Sequence, residues 1–219
     1  MAKIREIFSS IQGEGPLVGY KQLFLRFCKC NLNCSYCDTD FDISKAKDYT
    51  VKEIIDICSN NEDCHSVSLT GGEPLLEFQF IKEFAKKCHL PLYLETNGTL
   101  VNELEQLIDC VTYVAADIKL PSCTEQSIDW ENQDRFFTIA SQKKLFAKIV
   151  FNSAITEEEI QRTSSLCKKY NIELILQPMM AGNALSVSNK FLLEVLNRYL
   201  VFYKKVRLIP QVHKFIQVD

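Results

Sequence analysis

The chain has no apolar run approaching the ~20 residues that a membrane-spanning helix requires, so no partnership with a membrane is expected. It has no basic block either: 25 Lys and Arg stand against 28 Asp and Glu, for a net charge of −3. Bulk electrostatics give no reason to expect DNA or RNA as a partner. The first residues, Met1-Ala-Lys-Ile-Arg-Glu-Ile-Phe, place charges where the apolar core of a signal peptide would have to lie. With no leader in view, the ten cysteines are expected in a reducing cytoplasm, mostly as free thiols. Histidine is scarce, and His65 and His89 read as structural. What is there is an ordinary globular composition, 47% hydrophobic and 24% charged, over a length that fits one domain, 1–219. A small, locally recognised substrate suits such a chain.

The cysteines divide into two groups. Cys28, Cys58, Cys88, Cys110, Cys123 and Cys167 sit singly in strand or helix patterns and read as small core hydrophobes. Cys64 lies in the polar stretch Asn60–His65 and is expected to be exposed. The remaining three occupy eight residues, Cys30-Asn-Leu-Asn-Cys34-Ser-Tyr-Cys37, where one loop can wrap several thiolates around an inorganic centre. A closed zinc site or a complete Fe–S cluster takes four protein ligands, and no obvious fourth is present. Three thiols suggest a cube with one iron left for a substrate or cofactor. On this loop alone, a zinc knuckle and three core cysteines remain alternatives.

Elsewhere strands and helices alternate. Strand patterns run from Gln22 to Cys28, Ser66 to Thr70, Leu92 onward, Thr112 to Lys119, Phe146 to Phe151, Ile172 to Pro178 and Val206 to Ile209. Helices are expected after Thr50, which forms a capping box with Glu53, and over Leu75–Cys88, Val101–Ile108, Glu157–Tyr170 and Asn189–Tyr203. Polar residues gather where strands end. The segment from Pro121 to Asp134 reads as an irregular loop. The pattern is α/β, an incomplete (β/α) barrel, because the chain is shorter than the ~250 residues of a full eightfold barrel.

C-x3-C-x2-C with Tyr36 before its last cysteine, and Thr70-Gly71-Gly72-Glu73-Pro74 some thirty residues later, resemble the two leading motifs of the radical S-adenosylmethionine (SAM) enzymes. Gln12-Gly13-Glu14-Gly15, Glu95-Thr96-Asn97-Gly98 and Gln211-Val-His213-Lys214 follow the order found in one of their families, the 7-carboxy-7-deazaguanine synthases. The resemblance covers the chain from Gln12 to His213.

It implies a [4Fe-4S] cluster on Cys30, Cys34 and Cys37, with SAM on its open iron. It implies SAM contacts from Tyr36, Asp38, Gly72, Glu73, Glu95, Asn97, Asp117, Lys119 and Gln177. Asp117 stands where the family often has serine, and helix or loop capping is a competing role for Asn97 and Asp117. Mg2+ would be held by Thr39, with substrate oxygens and waters completing its shell. Ile11, Gln12, Gly13, Glu14, Arg26, Thr70, His213 and the terminal Asp219 would bind a pterin substrate. The implied reaction is contraction of 6-carboxy-5,6,7,8-tetrahydropterin to 7-carboxy-7-deazaguanine with loss of ammonia, on the route to queuosine and other 7-deazapurines. A flavodoxin-like electron donor and a homodimer are the family expectation. Activases that install a glycyl radical share the cluster spacing, but QGEG and QVHK argue against that reading. A zinc-binding interaction module without catalysis is the alternative outside enzymes.

Overall fold

Runs of aliphatic residues separated by amphipathic stretches set a strand–helix alternation that buries both faces of each inner strand. The computed structural model describes residues 1–37 and 43–218. In chain order its elements are β1 (Ala2–Ile11), β2 (Lys21–Phe27), β3 (Lys47–Tyr49), α1 (Val51–Ser59), β4 (Ser66–Gly71), α2 (Phe78–Ala85), β5 (Leu92–Thr96), α3 (Val101–Leu107) and β6 (Tyr113–Asp117). There follow α4 (Pro121–Thr124), α5 (Trp130–Ala140), β7 (Lys144–Phe151), α6 (Glu157–Tyr170), β8 (Glu173–Pro178), β9 (Met180–Ala181), β10 (Ala184–Leu185), α7 (Asn189–Phe202), β11 (Val206–Leu208) and α8 (Val212–Ile216).

Nine strands form one sheet in the order β11-β8-β7-β6-β5-β4-β2-β1-β3. From β2 through β11 every pairing is parallel, whereas β1 runs antiparallel to both β2 and β3. The two edges do not pair with each other among the described residues, so the α/β fold is an incomplete barrel.

Alternation along the strands sorts the side chains. Leu94, Val114, Ala116, Ala147, Ile149, Leu174 and Leu176 belong to the main core, together with buried residues of the helices. Their neighbours point inward. Tyr93, Ala115, Phe146 and Ile175 pack into a second, smaller cluster with Leu17 and Ile209. Two residues further along each of these strands stand Glu95, Asp117, Lys148 and Gln177. A period of two therefore places four polar groups one layer above an apolar plug.

Several expectations change. The polar stretch from Pro121 to Asp134 is not an irregular loop: it holds α4 and the start of α5. Asp129 caps α5 by accepting the Asn132 N–H at 3.0 Å, and Phe136, Phe137 and Ala140 bury its inner face. The helix expected from Leu75 begins as a 3-10 turn, Pro74–Glu77, and is α-helical only from Phe78. Strand β1 has no clean alternation and was not apparent in the sequence, yet it pairs along most of β2. It also overturns the exposure expected of Cys64. That thiol is buried, with its Sγ 3.5 Å from Ser9 Oγ of β1.

Candidate active site

The cysteine loop leaves the exit end of β2 and is fastened at several points. The Glu73 N–H donates to Lys29 O at 2.7 Å and the Gly72 N–H to Phe27 O at 3.0 Å, docking the Gly-Gly turn after β4 on the loop's backbone. Only glycine permits this approach at position 72, where a Cβ would lie 2.0 Å from Lys29 O. Asn97 Nδ2 donates to Asn31 at 2.8 Å, Asn31 Nδ2 to Thr99 at 2.8 Å, and Ser35 Oγ to Cys123 O at 2.8 Å. Helix α4 thus holds the middle of the loop.

Cys30, Cys34 and Cys37 all line one cavity of about 210 Å3. Burial pushes the Cys30 and Cys34 thiols up, opposed in part by the Leu32 N–H at Cys30 and by the charge of Lys119 at Cys34. The Cys30 sulfur accepts from Leu32 N at 3.4 Å and lies 3.9 Å from Asn97 Nδ2. Three thiols on one cavity, one with N–H groups already turned toward its sulfur, fit a cluster held by thiolates. Beside them Lys119 donates to Asp117 at 2.8 Å and to Tyr36 Oη at 3.3 Å. Burial raises the Tyr36 phenol to about 12, and Asp117 and Tyr36 hold Lys119 charged against its own burial.

The other end of the cavity is made by the turn after β1, which folds inward beneath the strands. Gln12 Nε2 donates to Gln22 and to Glu95, each at 2.9 Å, while the Glu14 N–H donates to Gln12 Oε1 at 2.9 Å. Glu95 also accepts from Thr70 Oγ1 at 2.6 Å, and burial raises its carboxyl. Glu14 behaves oppositely. Burial pushes its carboxyl up, but the Lys148 ammonium paired with it, with Gln211 and His213, brings it down to about 2. Gln211 donates to Glu14 at 2.7 Å and Gln177 at 3.2 Å. The Gln177 Oε1, buried at the cavity wall, has no hydrogen-bond partner among the described residues. His213 lies against Gly13, where a Cβ would come within 2.1 Å of Nδ1, and the Val212 N–H donates to Gly13 O.

Of the residues expected from the sequence, the structure brings Ile11, Gln12, Gly13, Glu14, Arg26, Cys30, Cys34, Tyr36, Cys37, Thr70, Gly72, Glu95, Asn97, Asp117, Lys119, Gln177 and His213 to this one cavity. Arg26 is held from outside by Glu6, which its Nε meets at 3.0 Å. Glu73 stands behind the wall, fully buried, accepting from Asn97 N, Thr96 Oγ1 and Leu75 N at 2.7 to 3.0 Å. Asp38, Thr39 and Asp219 lie outside the described residues. Sequence reasoning missed Lys148 and Gln211. The first left a signal, a lone charge in the apolar run Phe146–Phe151. The second opens the Gln211-Val-His213-Lys214 motif, of which only His213 was given a role.

Residues 25–182 match the model of the Radical SAM superfamily. A 7-carboxy-7-deazaguanine synthase of Geobacter sulfurreducens is 35% identical over 98% of this chain and 97% of its own length. One of Archaeoglobus fulgidus is 33% identical over 99% of each. Among solved structures, QueE from Escherichia coli superposes with a TM-score of 0.65 at 19% identity, covering 97% of this chain and 94% of its own.

Proposed function

The chain belongs to the 7-carboxy-7-deazaguanine synthases of the radical SAM superfamily, and on that premise we propose that it contracts 6-carboxy-5,6,7,8-tetrahydropterin to 7-carboxy-7-deazaguanine with loss of ammonia. The observation that carries the reading is one cavity lined jointly by the three cysteines, the Gly-Gly turn and the Gln12–Glu14 turn with His213. When bound, a [4Fe-4S] cluster and SAM supply one-electron chemistry that yields a hydrogen-abstracting organic radical. The protein's part is to bind, orient and exclude water.

In this reading Cys30, Cys34 and Cys37 hold the cluster. Tyr36, Asp38, Gly72, Glu95, Asn97, Asp117, Lys119 and Gln177 receive SAM, and Glu73 supports them from behind by fixing the Asn97 backbone. Gln12, Glu14, Thr70 and His213, with Ile11, Gly13 and Asp219, surround the heterocycle. Arg26 offers a planar donor to its carboxylate, the geometry that a guanidinium recognises best. The reading takes residues 1–219 as one catalytic domain and extends to Mg2+ at Thr39, a flavodoxin-like electron donor, a homodimer and a cytoplasmic setting. These rest on the family resemblance.

The test is anaerobic turnover of the cluster-loaded protein with SAM, dithionite, Mg2+ and 6-carboxytetrahydropterin, followed by mass spectrometry. A 7-carboxy-7-deazaguanine product is expected, absent without SAM, and Cys34→Ala should abolish both the cluster absorbance and the product. SAM cleavage with no such product would remove the pterin assignment while leaving the cluster chemistry. A full cluster and normal turnover in Cys34→Ala would remove the ligand assignment.

A further inference from the structure

We propose that Lys148 is a positioning residue for the substrate, acting through Glu14 and joining the Gln12–Glu14 turn to the strand that carries Asp117. The inference rests on the reading above, in which that turn binds the pterin.

Lys148 projects from β7 into the cavity with 8% of its surface exposed. Its ammonium pairs with Glu14 and lies 3.3 Å from Asp117 Oδ1, its neighbour across the β6–β7 register. Asp117 has a second cation, Lys119 at 2.8 Å. Glu14 has no second lysine or arginine partner among the described residues; Gln177 and Gln211 give it amide N–H groups, and His213 faces it from the tail. Losing Lys148 would thus leave Asp117 paired and Glu14 buried beside Glu95 and Asp117 with its charge unmatched, the costly case for an interior ion.

The consequence passes to the groups that face the substrate. The Glu14 carboxylate gathers side chains from β7, β8 and the tail. Its own N–H sets the Gln12 amide, whose Nε2 then meets Gln22 and Glu95. The carboxylate also orients Gln177, because an acceptor-only group takes the amide nitrogen and leaves Oε1 for another donor. Lys148 is the charge that holds this arrangement together without itself belonging to the turn.

The test measures affinities by anaerobic calorimetry on cluster-loaded enzyme without reductant, using 6-carboxytetrahydropterin in the presence of SAM, and SAM alone. In Lys148→Met the pterin Kd should rise roughly thirtyfold or more, as for truncation of one partner of a buried charge pair. The SAM Kd should rise several-fold less than the pterin Kd, since Asp117 keeps Lys119 and, of the groups assigned to SAM, Gln177 alone bonds Glu14. Lys148→Arg should restore part of the pterin affinity. In a Glu14→Gln background, adding Lys148→Met should change the pterin Kd by no more than about threefold. This comparison serves also if Lys148→Met alone fails to fold. Pterin affinity unchanged in Lys148→Met, or a full additional loss in the Glu14→Gln background, would overturn the proposal. Wild-type enzyme that binds SAM but no pterin would overturn the substrate reading instead.

Discussion

At Glu73, burial and hydrogen bonding pull in opposite directions. Three donors favour the carboxylate, but enclosure behind the cavity wall outweighs them and raises the carboxyl from 4.5 to about 7. The folded protein therefore holds this proton more tightly than the unfolded chain does. The group's contribution to stability is complete below about 4.5 and is lost as pH rises through about 7. Thermal melting across that window should show wild type losing ground to Glu73→Gln as pH increases, and a constant difference between the two would refute the assignment. Not all of this was legible. The identity of Glu73 came from its motif, whereas its place behind the wall depends on donors at the exit of β5, twenty-odd residues away. Lys148 was legible in principle, since a charge inside a parallel strand buried on both faces calls for a partner. That the partner is Glu14 depends on the turn after β1 folding inward, which no local pattern encodes.

Helices were read best where their signals are local. Both Thr50–Glu53 and Thr156–Glu159 form reciprocal capping boxes, and the helices they open start where the sequence placed them. In α6 the box does a second job, because Glu159 also accepts the Ser122 N–H at 2.9 Å and so ties α4 to α6. Thr156→Ala should cost about 1 kcal/mol, seen as a lower urea midpoint at unchanged slope. A changed slope would mean that more than the cap had been lost. Helix α5 was missed because its capping residue lies in a polar stretch and its buried face opens with a polar residue, Gln133, before Phe136 and Phe137. Strand β1 was missed for a tertiary reason: its residues are mostly half-buried, and what defines it is pairing with β2 and β3.

Across the whole molecule the cavity draws on residues from Phe8 to His213, so both ends of the chain complete it. Removing residues 211–219 deletes the Gln211 bond to Glu14 and the Val212 bond to Gly13. Pterin affinity should fall roughly tenfold or more, the scale of a hydrogen bond to a buried charge, while SAM affinity holds. Equal pterin binding by the shortened and full-length proteins would show that the tail takes no part. The unclosed sheet has a consequence of another kind. An open barrel carries two unpaired edges, each a template onto which a strand of another chain could add. Here the marginal strands β3 and β11 are three residues each, with Lys47, Asp48 and Arg207 facing solvent. But β3 covers only Ala2–Ile4 of the ten-residue β1, and among the described residues no strand pairs with the rest of that flank. The short, charged margins give a neighbouring strand little to lengthen, so the template for strand addition is the flank of β1 beyond Ile4.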